Sequence, residues 1–121
     1  MKYFTLTEAR NTLPLIRKIV NDILKSGQEL KLLAMKLQDR AESNELFIEL
    51  KNRLLNYINE LESLGCFYKD WNFEYGLVDF PAKFDNKTIL LCWRSDEDDI
   101  SFYHSIEDGY LGRKPIPENI I

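Results

Sequence analysis

Only two cysteines, Cys66 and Cys92, occur in the 121 residues. That is too few for the disulfide framework of a small secreted domain, and both sit among hydrophobic residues, which makes them reduced core thiols. Histidine is scarcer still: His104 stands alone, and without a second histidine or a Cys-x-x-Cys pair the spacings that mark a metal site in sequence are missing. No apolar run approaches the roughly 20 residues needed to cross a bilayer, and Met1-Lys2-Tyr3-Phe4 leads into a helix start with no cleavable apolar segment. The expectation is a soluble, cytoplasmic protein without a membrane partner. Internal repeats, low-complexity segments, a Walker loop and a dinucleotide-binding fingerprint are also lacking.

What is present is enough for one folded domain, 1–121: 45% apolar and 12% aromatic residues can bury a modest core. Charge is unevenly placed. Residues 1–64 carry ten Lys and Arg against nine Asp and Glu, whereas residues 65–121 carry six against eleven. The acidic half is also the one richest in aromatics. Phosphate backbones are held by clustered cations, and the lysines and arginines of the first half are interleaved with acids, so nucleic acid is disfavoured as a partner.

The chain opens on a capping box, Thr5-Leu6-Thr7-Glu8, flanked by Phe4 and Ala9 as a staple pair. Pro14 then removes a helical hydrogen bond and crowds the preceding turn, which predicts a kink near Asn11 or a fresh helix start. Ile16, Val20, Ile23, Gly27, Leu30, Ala34 and Leu37 recur at three-four spacing, and Phe47, Leu50, Leu54, Tyr57, Leu61 and Leu64 repeat it. With only a short polar link between them, the two runs form an antiparallel helical hairpin over 5–64. Ser43 or Asn44 caps the second arm, and Gly65 ends it in the left-handed conformation. Gly27 marks a close crossing or a break. Leu15, Ile19, Leu24, Leu33, Leu46 and Leu55 widen the apolar stripe beyond what one partner helix hides, which predicts a homodimer through the hairpin.

After Gly65 the period changes to alternation. Cys66 to Lys69, Leu77 to Phe80 (ended by Pro81), Thr88 to Arg94 and Ile100 to His104 read as strands, with turns at Asp85-Asn86-Lys87 and Ser95 to Asp99. Thr88, Leu90, Cys92 and Arg94 share one face of the strongest strand and Ile89, Leu91 and Trp93 the other. Neither face is plainly polar, so this strand is central and covered on both sides. The fold class is α+β: a long helical hairpin of two main helices, then an antiparallel meander of three to four strands over 66–104. Residues 105–121 are left as a loop and an extended tail.

Chemistry-bearing residues concentrate in the second half. Asp79, amid Leu77, Val78 and Phe80, is costly unless paired, and Arg94 or Arg113 is the expected partner. His104 suits proton transfer or ligation, or a hydrogen-bonded structural role. A metal would require His104 to combine with Asp79, Glu107 or a cysteine across strands, and a nucleophilic thiol would pair Cys92 or Cys66 with His104. Gly109 to Pro115 could form an anion-holding loop around Arg113, or a plain turn. A concave site lined by Asp79, Arg94, His104, Glu107 and Arg113, with Trp93 and Tyr103 as an aromatic wall, would suit a small anionic ligand. No metal or other cofactor is assigned by these spacings.

The blocks Tyr3-Phe4-Thr5-Leu6, Glu8-Ala9, Leu13-Pro14, Leu64-Gly65-Cys66, Gly76 to Ala82 (GLVDFPA) and Leu90 to Arg94 (LLCWR) run in that order, followed by His104, Gly109, Gly112-Arg113 and Pro115. In that order they resemble the prokaryotic family known as domain of unknown function 2203, over essentially the whole chain. The resemblance implies a small standalone protein and no particular activity. Two readings follow from the residues. The first is a non-enzymatic interaction or small-ligand-binding module that self-associates. The second is an enzyme or metal-dependent hydrolase using Asp79, His104 and Glu107. Convergence of the five polar side chains in one cleft would favour the second, and their dispersal into separate ion pairs the first.

Overall fold

The computed structural model describes residues 1–117. Helix α1 (Leu6–Leu37) leads through a 3-10 segment (Gln38–Ser43) into α2 (Glu45–Ser63). The strands are β1 (Phe67–Tyr68), β2 (Leu77–Phe84), β3 (Lys87–Arg94), β4 (Phe102–Ser105) and β5 (Lys114–Pro115), with a 3-10 turn at Tyr110–Gly112 before the last. All neighbours pair antiparallel in the order β1-β2-β3-β4-β5, so the sheet is a meander with β3 at its centre.

The start of α1 follows the capping chemistry. Glu8 N–H donates to the Thr5 hydroxyl at 3.1 Å and Thr5 N–H to the Glu8 carboxylate at 3.0 Å, with Phe4 and Ala9 buried beside them. No fresh helix begins at Pro14, because α1 runs through it as a single 32-residue element. Pro14 is exposed, so its ring faces solvent, and one missing bond is outweighed by the buried stripe of Leu13, Ile16, Ile19, Val20 and Ile23. Asn44 caps α2 by accepting from Phe47 N–H at 3.0 Å, and Gly65 leaves it at φ 102°. Gly27 marks a close crossing: a Cβ there would lie 2.3 Å from the Phe73 ring, so the loop before β2 rests directly on the helix backbone.

The sheet has five strands where three to four are expected from alternation. The additional one, β5, is a two-residue pairing with the free edge of β4, Phe102 opposite Pro115 and Tyr103 opposite Lys114, within the segment expected to be loop and tail. Two residues, one of them proline, carry no periodic signal. Of that tail, residues 118–121 lie outside the described part. Strand β2 also runs past Pro81 to Phe84. Beyond Phe80, β1 no longer pairs with it, and Phe4 N–H donates to the Pro81 carbonyl at 2.7 Å from that open side. A residue's nitrogen and carbonyl point to the same side of a strand, so Pro81 directs its missing donor to the unpaired edge, where proline is tolerated.

Val78, Phe80, Ala82, Ile89, Leu91 and Trp93 form the inner face and pack on Leu13 to Ile23 of α1 and Leu54, Ile58 and Leu61 of α2. The sheet thus covers one end of the hairpin. Buried residues in α1 stop at Gly27, ten residues before its end, leaving about 15 Å of helix beyond the core.

Candidate functional site

On the outer face, three polar residues come from three neighbouring strands. Asp79 of β2 lies directly opposite Cys92 of β3, and His104 of β4 lies opposite Leu90, one diagonal step from Cys92. All three are buried, at 4%, 1% and 4% exposure, although they lie on the face away from the helices. The segment after β4, turning at Gly109 with φ 66°, brings Ile106, Gly109 and Tyr110 to the same cavity as these three. That cavity, of about 170 Å³, is lined by Asp79, Cys92 and His104 together with Leu77, Ile106 and Tyr110.

The His104 ring is held at both nitrogens. Nδ1 meets the Ser105 carbonyl at 2.7 Å and Nε2 meets Asp79 Oδ1 at 3.1 Å. A carbonyl can only accept, so Nδ1 carries a proton. Nε2 and the carboxylate then share a second proton, either as imidazolium and carboxylate or as imidazole and carboxylic acid. Asp79 has no other side-chain partner among the described residues. Burial pushes the Cys92 thiol up to about 12, with the Asp79 carboxylate adding to the rise and the nearby Arg113 opposing it. This thiol is no poised nucleophile, because the imidazole that would deprotonate it is committed to Ser105 and Asp79.

The remaining expected site residues disperse. Arg113 forms a bidentate pair with Glu97, at 3.0 and 2.5 Å, and stacks over Phe102 and Tyr110. Arg94 pairs with Asp96 at 2.5 and 2.8 Å and donates to the Tyr110 hydroxyl. The expected pairing of Asp79 with either arginine is therefore replaced by its bond to His104, because carboxylates from the 95–99 turn reach both guanidiniums first. Glu107 is exposed on its turn and is not part of the cavity lining. Trp93 is fully buried on the inner face, where its ring lies under Arg17 and its Nε1–H donates to the Glu97 carbonyl. Tyr103 also packs on the inner side, so neither aromatic walls the site.

The sequence brings Cys92 into view as a possible partner of His104 but not as part of the expected lining, and it gives no hint of Tyr110 or Glu97. Cys92 had a usable signal: it shares a strand face with Arg94, and pairing the Leu77 run with the Thr88 run about the Asp85-Asn86 turn sets it opposite Asp79. Tyr110 and Glu97 had none, since both lie in turns.

A family profile described as an uncharacterized conserved protein, DUF2203, matches residues 2–116. The chain belongs to this family. No curated protein and no solved structure gives a significant match. Membership in DUF2203 carries no assigned chemistry, so the outer-face cluster is the feature from which a function has to be argued. Among the described residues, no helix is long and apolar enough to cross a membrane.

Proposed function

We propose that this DUF2203 protein is a non-enzymatic ligand-binding module whose site is the outer-face cavity over Asp79, Cys92 and His104. One observation carries this reading: three ligating or hydrogen-bonding side chains, each almost fully buried, meet at the floor of one small cavity. Burying polar groups is costly unless they are hydrogen-bonded, and here the compensation comes from the bonds of His104 to Asp79 and to the Ser105 carbonyl and not from an arginine. A hydrolytic reading is less well supported. It needs Glu107 and the two arginines at the same place, while Glu107 is exposed and each guanidinium is already saturated by a carboxylate. That saturation also turns the ligand class away from an anion held by guanidinium. Backbone amide mapping by NMR tests the site: a binding guest should perturb Leu77, Cys92, His104 and Tyr110, and perturbations confined to the helices would refute the location.

Self-association belongs to the same reading and rests on the free end of the hairpin. Leu32, Met35 and Leu46 are exposed there, at 65%, 69% and 53%. With Leu33 and Leu50 they floor an apolar groove rimmed by Glu29, Lys36 and Arg53. A rim carrying both signs of charge can meet its own copy across a two-fold axis without like-charge contact, which supports a second copy as occupant. Met35→Glu with Leu46→Glu should convert a sedimenting dimer to monomer while leaving the helical signal unchanged. A wild-type chain that sediments as monomer at tens of micromolar would remove self-association from the reading.

A further inference from the structure

We propose that Asp79, Cys92 and His104 are the protein ligands of a site for a borderline-soft divalent cation of the zinc class, with a fourth position open to the outer-face cavity. The proposal rests on the reading of that face as a ligand site and names the ligand class.

The donor atoms of the three side chains all lie within 4.8 Å of one another. Tetrahedral zinc holds sulfur at about 2.3 Å and nitrogen or oxygen at about 2.0–2.2 Å, which sets ligand atoms about 3.3–3.7 Å apart. Loading therefore asks the donor atoms to close by no more than about 1.5 Å. The imidazole is already oriented for ligation: Nδ1–H is anchored on the Ser105 carbonyl, so the nitrogen facing Asp79 and Cys92 is Nε2. Anchoring of the non-ligating nitrogen by a carbonyl is the usual outer support of a metal-bound histidine.

Charge and donor type select the cation. A thiolate and a carboxylate balance a divalent ion; Glu97 and Asp96 hold Arg113 and Arg94, and the exposed Lys69 is a further charge on the cavity lining. Sulfur with imidazole suits zinc and its transition-metal neighbours, whereas magnesium and calcium demand oxygen donors. Loading expels the thiol proton of Cys92 and the proton held between Nε2 and Asp79, and the cation takes their place. Three protein ligands beside a cavity leave room for a water or a small ligand at the fourth position, which is the pattern of an open rather than a closed zinc site.

The test uses the full chain stripped of metal and then titrated with Zn2+ and with Co2+. One equivalent of zinc should bind and raise the Tm, and Co2+ should give a near-ultraviolet thiolate-to-metal charge-transfer band. Cys92→Ser should abolish that band, and His104→Gln should weaken Co2+ binding by more than about tenfold, each checked for folding by circular dichroism. X-ray absorption on zinc-loaded wild type needs no variant and should show one sulfur at about 2.3 Å with nitrogen and oxygen at about 2.0–2.2 Å. Absence of stoichiometric zinc, a zinc shell without sulfur, or a cobalt band that survives Cys92→Ser would each overturn the metal assignment. If zinc fails while a metabolite panel still shifts the amides of Leu77, His104 and Tyr110, the ligand-site reading stands without the metal. If neither perturbs that face, both fall.

Discussion

The two faces of the sheet are buried to a similar depth by different means. The inner face presents Val78, Phe80, Ala82, Ile89, Leu91 and Trp93 to two helices, and every one is at most 7% exposed. The outer face presents Asp79, Cys92 and His104 at 1–4% exposure on the side away from the helices, where Lys69, Ile106, Gly109 and Tyr110 line the cavity with them. A face that needed only stability would be apolar, because well-packed hydrophobic residues serve at least as well as a buried ion pair. The difference separates an apolar side, where shape decides, from a side that buries Asp79 and His104 hydrogen-bonded to each other, the side that the proposed function uses.

The comparison is broken most directly at the inner face, where the largest effect is expected. Phe80 is fully buried, stacks edge-on against Phe4 at 5.3 Å and joins the sheet to the start of α1. Phe80→Ala should cost about 3–5 kcal/mol, read as a shift of the urea midpoint with an unchanged slope, and should leave ligand or metal stoichiometry intact in the fraction that folds. A loss below about 1 kcal/mol would mean that the inner face does not carry the fold.

The outer face should respond in the opposite sense. Asp79→Asn removes the carboxylate from His104, and about 1–3 kcal/mol is expected for disrupting a buried hydrogen bond to a charged group. Replacing the pair together, Asp79→Leu with His104→Leu, should recover most of that loss or exceed wild-type stability, since neither partner is then left alone in an apolar setting. Binding at the cavity should vanish in the same double variant. A double variant less stable than either single one would show that the pair is structural and would close the gap between the two faces.

Alkaline stability sharpens the picture in a third way. The Cys66 thiol, fully buried and donating to the Leu61 carbonyl at 3.4 Å, is pushed up to about 12 by burial from an ordinary value of 9.0. The folded chain therefore keeps a proton that the unfolded chain releases. Its contribution is complete below pH 9 and is lost as pH rises toward 12, by at most about 1.4 kcal/mol for each pH unit. Urea midpoints between pH 8 and 11 should fall, and should fall less steeply in Cys66→Ala. An equal slope in that variant would assign the alkaline loss to other groups.

Legibility from sequence followed the same division. Periodicity exposed both helices, the inner face and the central strand, because those features repeat at 3.6 or 2 residues and are set by burial. Local chemistry exposed Thr5 with Glu8, Asn44, Gly65 and the Asp85-Asn86 turn, where φ values of 51° and 62° match the residue types. Strand β5 was hidden because it has two residues and owes its existence to the edge of β4. At the site, Asp79 and His104 were legible as residues needing partners but not as partners of each other. Their bond depends on the stagger of β2, β3 and β4, and on Glu97 and Asp96 reaching the arginines first. Trp93 was misassigned although alternation already set it on the face opposite Cys92 and Arg94, and Tyr103 because its face depends on its register opposite Leu91.

The smallest effect is expected at the edge of the outer face, and it separates rim from floor. Arg94 and Asp96 form an ion pair whose side chains remain 30% and 45% exposed, whereas Arg113 and Glu97 are only 13% and 15% exposed, and the Arg113 guanidinium stacks on the rings of Phe102 and Tyr110. Water and salt screen the first pair, and holding two long side chains in place offsets much of its attraction. Asp96→Ala should therefore leave the Tm within measurement error at 150 mM salt. Glu97→Gln should lower it clearly, because the Arg113 charge would then be left partly buried and underpaired while the backbone N–H of Arg94 loses an ionised acceptor. Both variants should retain binding at the Asp79 cavity if rim and floor are independent. If Asp96→Ala instead lowered the Tm as much as Glu97→Gln, the outer face would be one cooperative polar layer, and its division into a binding floor and a screened rim would be wrong.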